Sequence, residues 1–198
     1  MISLYFKLIQ LALVAAFYIA YFCKQLSLRK NGISTNRLAK GRKPRRTQVI
    51  EALLLPATYG TAVIQFASIF FNSYLMPFGF PTFLNIVGMT VTALGVLFFI
   101  LATTIMRDSW RAGVDEGQKT TIVTDGVYRF SRNPAFVGFD LLYIGSFLAS
   151  PNLFMLITAV FTIVLLHLQI LEEEKYLPQA FGEEYLKYKA STPRYLFF

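Results

Sequence analysis

Long, nearly unbroken apolar blocks constrain this chain more than any motif in it. A helix needs about 20 apolar residues to cross the ~30 Å hydrocarbon layer of a bilayer. Five blocks come near that length or exceed it: Ile2 to Cys23, Val49 to Phe71, Phe80 to Met106, Ala135 to Ser150 and Leu153 to Leu171. The fourth is the shortest. At 55% hydrophobic residues over 198 positions, the composition fits an all-α membrane protein with about five transmembrane helices. It reads as a single membrane domain, 1–198, with a three-helix part (1–106) and a core (107–198). The core comprises a helical hairpin and an amphipathic helix on which Leu177, Phe181, Tyr185 and Tyr188 recur at spacings of three and four. The first block lacks a small-residue cleavage site and is expected to be a mature span rather than a secretory signal.

Charge placement orients the spans. Of the 19 Lys and Arg, nine lie between Lys24 and Arg46, five between Arg107 and Arg132, and four between Lys175 and Arg194. With five spans these segments share one side, which the positive-inside rule makes cytoplasmic, with the N-terminus outside and the C-terminus inside. Clustering at membrane boundaries argues for lipid head groups rather than nucleic acid as the partner of the net +8 charge. A lone cysteine, Cys23, rules out an internal disulfide. There is no HExxH or His-Cys set for a metal, no Gly-rich dinucleotide turn and no Ser-His-Asp set, so no metal is expected.

The polar residues that remain bracket the last apolar hairpin. Before it stand Thr121-Ile122-Val123-Thr124-Asp125-Gly126-Val127-Tyr128 and Ser131-Arg132-Asn133-Pro134-Ala135-Phe136-Val137-Gly138; after it stand Glu172, Glu173 and Glu174. Both clusters fall at one end of the hairpin and are expected to close over one pocket. Pro134 suits a first helical turn, where its missing N–H costs nothing, and the free N–H groups of that turn favour an anionic group. Asp140, about two turns inside, must pair or line a cavity, and structural pairing and substrate contact are both open. His167 is either a base or a hydrogen-bonded interface residue. Gln169 and Glu173, four apart on a helix, share a face. Three adjacent carboxylates cannot all face one pocket. In the second block Glu51 sits at interface depth and reads as a snorkelling boundary residue. In the third, Gly88, Thr92 and Gly95 form a stripe for close helix packing. Backbone donors, carboxylates and apolar walls suit a nucleoside-like ligand beside a route for a bilayer-dissolved substrate.

These residues resemble the integral-membrane methyltransferases typified by isoprenylcysteine carboxyl methyltransferase and phosphatidylethanolamine N-methyltransferase. The likeness covers about residues 86 to 196. Its elements are Ile122 to Tyr128, Arg132 to Gly138, Glu173 to Leu177 and Phe181 to Tyr188, closed by Pro193-Arg194. The resemblance implies S-adenosyl-L-methionine as methyl donor, bound on the cytoplasmic side by Thr120, Thr121, Ile122, Val123, Tyr128, Asn133, Pro134, Ala135, Phe136, Glu173 and Glu174. It implies Arg132, Asn133 and Glu173 at the reacting centre, and a lipophilic or prenylated acceptor reached laterally and met by Gln169, Asp140, His167 and Arg194. Three positions depart from the family pattern. Asn133 stands where His is common, Phe136 where Tyr is usual, and Gln169 where the prenylcysteine enzymes carry a substrate-binding Arg. A neutral amide holds a carboxylate less tightly than a guanidinium fork, which leaves lipid amines and thiols open as acceptors. A non-catalytic lipid-binding or adaptor protein, and a reductase using a nicotinamide cofactor, are the readings from other classes.

Overall fold

The computed structural model describes residues 4–32, 43–110 and 121–197. Each apolar block is a helix: α1 Leu4–Lys30, α2 Arg45–Phe71, α3 Thr82–Ile105, α4 Pro134–Ala149 and α5 Leu153–Ser191. The chain is an integral membrane protein in which α1, α2, α3 and α5 are long and apolar enough to cross a bilayer, while α4 is a shorter apolar helix. At 1.5 Å per residue, its 16 residues reach about 24 Å. The 39 residues of α5 would reach about 58 Å, well beyond a ~30 Å hydrocarbon layer. The fifth block and the amphipathic segment are thus one element, bent at Gly182, whose φ of 56° and ψ of −135° suit glycine alone.

Lipid tails are as apolar as leucine, so the hydrophobic effect gives little reason for these helices to associate; close packing and interhelical hydrogen bonds must do it. The α3–α4 contact shows the first. The Gly88, Thr92 and Gly95 stripe meets Gly138, Leu142, Gly145 and Ala149, close enough that a Cβ on Gly95 would lie 2.7 Å from the Leu142 nitrogen. Polar pairs tie the remaining helices. Gln65 on α2 donates to Ser146 on α4 at 2.8 Å and accepts from Tyr18 on α1. Thr61 and Thr162 join α2 to α5 at 2.8 Å, and Ser150 donates to Gln10 on α1 at 2.8 Å. Around them an aromatic cluster packs Phe17, Phe99 and Phe139, with Tyr21 edge-on to Trp110.

At one end, Asn152 fastens the α4–α5 turn to α2. Its Nδ2 donates to Ser68 and Asn72 while its Oδ1 caps α5 by accepting from the Met155 N–H at 2.8 Å. The other end carries the polar clusters. There the chain after α3 forms a 3-10 turn, Gly126–Arg129, entered through Gly126 at φ 59°, and starts α4 at Pro134 as the proline position implies.

Candidate active site

The two polar clusters meet. Between α1, α2, α4 and α5 lies an apolar cavity of ≈ 510 Å³, within the range of small-molecule sites. Ala135 and Phe136 from the first turn of α4 line it, as do Trp110, Phe139, Leu54 and Tyr18. Its polar end carries Gln169 and Glu173, one turn apart on α5. Asn133 sits at the start of the same turn of α4, so the polar ends of the hairpin share one side of the bundle.

Each of the three adjacent glutamates takes a different direction, because successive helical residues are turned by about 100°. Glu172 faces α2, where Thr47 Oγ1 donates to it at 2.7 Å and Arg46 lies 3.4 Å away, and Lys175 adds a bond of 2.6 Å. Glu173 alone of the three lines the cavity and accepts from Gln169 Nε2 at 3.0 Å. Glu174 is held by two guanidiniums, Arg132 Nη2 at 2.8 Å and Arg194 through Nε at 3.1 Å and Nη2 at 2.8 Å.

That last clamp folds the C-terminal segment back over the site. Arg132 donates its backbone N–H to Pro193 at 2.9 Å, and its guanidinium reaches the carbonyls of Lys189 and Thr192. Ser131 Oγ and Asn133 Nδ2 both donate to the Arg194 carbonyl, at 3.1 and 3.2 Å. Tyr188 donates to the Tyr128 carbonyl at 2.6 Å. The hydrogen bond to Glu174 holds the Arg194 guanidinium above its ordinary value. Tyr128 is buried against α3, its hydroxyl donating to the Ala102 carbonyl at 3.5 Å. Burial first, then Tyr188 and Glu173 nearby, push its phenol well above the ordinary range.

The structure therefore brings Ala135, Phe136, Gln169 and Glu173 to one cavity, while Tyr128 packs beside it against Ala102 and Tyr188 and does not line it. It directs Arg132, Asn133, Arg194 and Glu174 into the adjoining clamp, and among the described residues none of these four lines the cavity. Pro134 is buried at the first turn of α4, whereas Thr121, Ile122 and Val123 form irregular chain leading to the 3-10 turn and do not line the cavity. Thr120 lies outside the described residues. Asp140 and His167 occupy a separate position. His167 Nδ1 meets the Tyr195 hydroxyl at 2.7 Å with the rings stacked, and Asp140 Oδ1 is buried without a hydrogen-bond partner. Burial and the Asp140 carboxylate push the Tyr195 phenol up to about 12.

Glu51 corrects the sequence reading. It is not a snorkelling residue but fully buried, receiving Lys43 Nζ on both carboxylate oxygens at 2.9 and 2.7 Å and Gln169 Nε2 at 3.3 Å. A charge is tolerated there because an ammonium and an amide surround it. Lys43, Thr47 and Glu51 are parts of this end of the site that sequence reasoning missed. The one usable signal was an acid inside an otherwise apolar block.

Residues 83–184 match the family described as phospholipid methyltransferase. The protein-S-isoprenylcysteine O-methyltransferase of Schizosaccharomyces pombe is 30% identical over 129 residues, 58% of this chain and 53% of that protein. The chain thus spans about half the length of that relative.

Proposed function

This chain belongs to the phospholipid methyltransferase family, and from that premise we propose that it transfers a methyl group from S-adenosyl-L-methionine to a lipophilic acceptor at the cytoplasmic side of a membrane. One observation carries the reading: a half-buried carboxylate, Glu173, and the first turn of a helix, Ala135 and Phe136, close the polar end of an otherwise apolar cavity. The residues fit the donor. Glu173 would accept hydrogen bonds from its ammonium or ribose hydroxyls, and the unpaired N–H groups of the α4 first turn suit its carboxylate. Thr121 to Val123, Tyr128 and Asn133 do not line the cavity and would meet the donor only where it extends beyond that lining.

When bound, the donor supplies a methyl carbon made electrophilic by a sulfonium. With that chemistry supplied by the donor, the protein's own work would be to align donor and acceptor and to exclude water. Apolar walls suit that work and suit an acceptor that arrives from the bilayer between helices. An oxygen of an isoprenylcysteine, the acceptor type named for the relative, is the first candidate, and a carboxylate oxygen would need no base. A lipid amine is the second, favoured by the neutral amide of Gln169. The N-terminus lies outside and the site inside, in keeping with the basic segments.

Titration of the purified protein with S-adenosylhomocysteine and, separately, with NADPH tests the reading. Saturable binding of the first alone is expected. Binding of NADPH instead would make the chain a reductase, and binding of neither would leave a lipid-binding or adaptor protein.

A further inference from the structure

A second cleft, of ≈ 390 Å³, is lined by Arg46, Leu171, Glu174, Lys175, Lys189 and Arg194 and shares no residue with the apolar cavity. Its cations come from four parts of the chain: the first turn of α2, α5 before the bend at Gly182, α5 after it, and the C-terminal segment. Their counter-charges are recessed. The Glu172 and Glu174 side chains are each 5% exposed, whereas those of Arg46 and Lys175 are 63% and 60% exposed. Arg46 and Lys175 share Glu172, while Arg132 and Arg194 share Glu174. Lys189 is exposed and its ammonium makes no ion pair among the described residues. Five cations thus stand against two carboxylates, an excess of three positive charges. Glu183 and Glu184 do not cancel it at Lys189: they lie three or four residues from Lys187, on its face of the helix, but five or six from Lys189.

We propose that this cleft seats the phosphate of an anionic phospholipid head group, which bridges the two carboxylate clusters and fastens the C-terminal segment to α2 and α5. The inference does not depend on the methyltransferase reading, and the lipid it names is a structural ligand rather than an acceptor. Depth favours a lipid as the source of the phosphate. Leu171 closes the last apolar block and Arg46 lies in the first turn of α2, so the cleft sits where both helices leave the bilayer. Phosphate oxygens accept charge-assisted hydrogen bonds from guanidinium and ammonium groups. In the cleft they meet Arg46 and Lys175 on the Glu172 side and Lys189 and Arg194 on the Glu174 side, while both carboxylates stay recessed. A phosphatidylcholine head group sets a quaternary ammonium against the same cations and is disfavoured. Occupancy also couples to the fold, because Arg194 belongs to the segment that folds back over the first turn of α4.

The full chain in nanodiscs of equal parts phosphatidylglycerol and phosphatidylcholine tests the proposal, with the lipids retained on release read by native mass spectrometry. Closure of the C-terminal segment is read in parallel as tryptic cleavage after Arg194. The wild type is expected to retain phosphatidylglycerol over phosphatidylcholine by about tenfold or more, the scale of two surface charges. It should also be cut after Arg194 more slowly than in phosphatidylcholine alone. Arg46→Gln with Lys189→Gln changes two exposed side chains and should bring retention near parity and remove the protection, while Lys189→Arg should keep both. Arg29→Gln with Lys30→Gln takes the same charge from the exposed end of α1 and should leave both readings as in the wild type. An equal loss in the α1 variant would overturn the proposal in favour of diffuse attraction to the surface. A wild type that retains the two lipids alike, or a cleft variant that keeps the preference, would overturn it as well. Protection of Arg194 by inorganic phosphate in phosphatidylcholine discs, equal to that by phosphatidylglycerol, would make the cleft a site for soluble phosphate and remove the lipid.

Discussion

Arg194 grips Glu174 with two parallel hydrogen bonds, Nε to Oε1 at 3.1 Å and Nη2 to Oε2 at 2.8 Å, and so ties the C-terminal segment to α5. Arg132 shares the same carboxylate, which is nearly buried. Glu174→Gln keeps the shape and removes the charge that two guanidiniums share. We expect a loss of about 2–4 kcal/mol, seen as a lower thermal midpoint in detergent and faster tryptic cleavage after Lys189 and Arg194. Unchanged melting and cleavage would show that the clamp does not hold this segment down.

Close approach holds α3 to α4, with Asn85 Nδ2 adding bonds to the Leu148 and Ala149 carbonyls at 3.0 and 3.3 Å, so the contact is sensitive to single methyl groups. A Cβ on Gly145 would run into the backbone and hydroxyl of Thr92. Gly145→Ala should therefore cost about 1–3 kcal/mol through overpacking. Gly60, on α2, has nothing within 4 Å of the equivalent position, and Gly60→Ala should be neutral or stabilising by up to about 1 kcal/mol. Reversible unfolding of both variants in mixed detergent micelles compares them. Equal effects would contradict the packing assignment.

Glu173 is the carboxylate the cavity displays, and its replacement separates cofactor binding from folding. Glu173→Gln should weaken S-adenosylhomocysteine binding by about tenfold or more, the worth of a charge-assisted hydrogen bond, while the thermal midpoint holds or rises. Calorimetric affinity equal to the wild type would remove Glu173 from the cofactor site.

The apolar wall can be narrowed without touching either polar cluster. Ala62 lines the cavity from α2, and Ala62→Trp should raise the KM for long-chain acceptors by about tenfold, since one or two displaced methylenes are worth ~1–3 kcal/mol. S-adenosylhomocysteine affinity should be retained. Loss of both affinities together would mean that donor and acceptor do not occupy separate parts of the cavity.

Much of the fold was legible because hydropathy reports what lipid demands, and every apolar block became a helix. Helix ends were less legible. α1 continues from Cys23 to Lys30 and α5 from Leu171 to Ser191, since a helix does not stop where the membrane does, and polar turns add nothing to an apolar window. Ala135, Phe136, Gln169 and Glu173 were readable because motif and helical spacing both act along the chain. The roles of Lys43 and Glu51 were not. Nothing within α2 says that its first turns meet Gln169, 118 residues later, and a lone acid near a membrane surface looks the same whether water or an amide surrounds it. Arg132 shows the opposite case: its motif was plain, but the commitment of its guanidinium to Glu174 and two backbone carbonyls depended on where the C-terminal segment folds.

The run Glu172, Glu173 and Glu174 makes α5 intolerant of any change in its count of residues. Deleting one position between Gln169 and Glu172 would rotate everything beyond it by about 100° relative to the part within the bilayer. The α2 latch and the cavity would still each meet a glutamate, but the arginine clamp would meet Lys175, a cation set against two guanidiniums. In this stretch the count of residues matters as much as their chemistry, and the clamp is the place where a slip is felt.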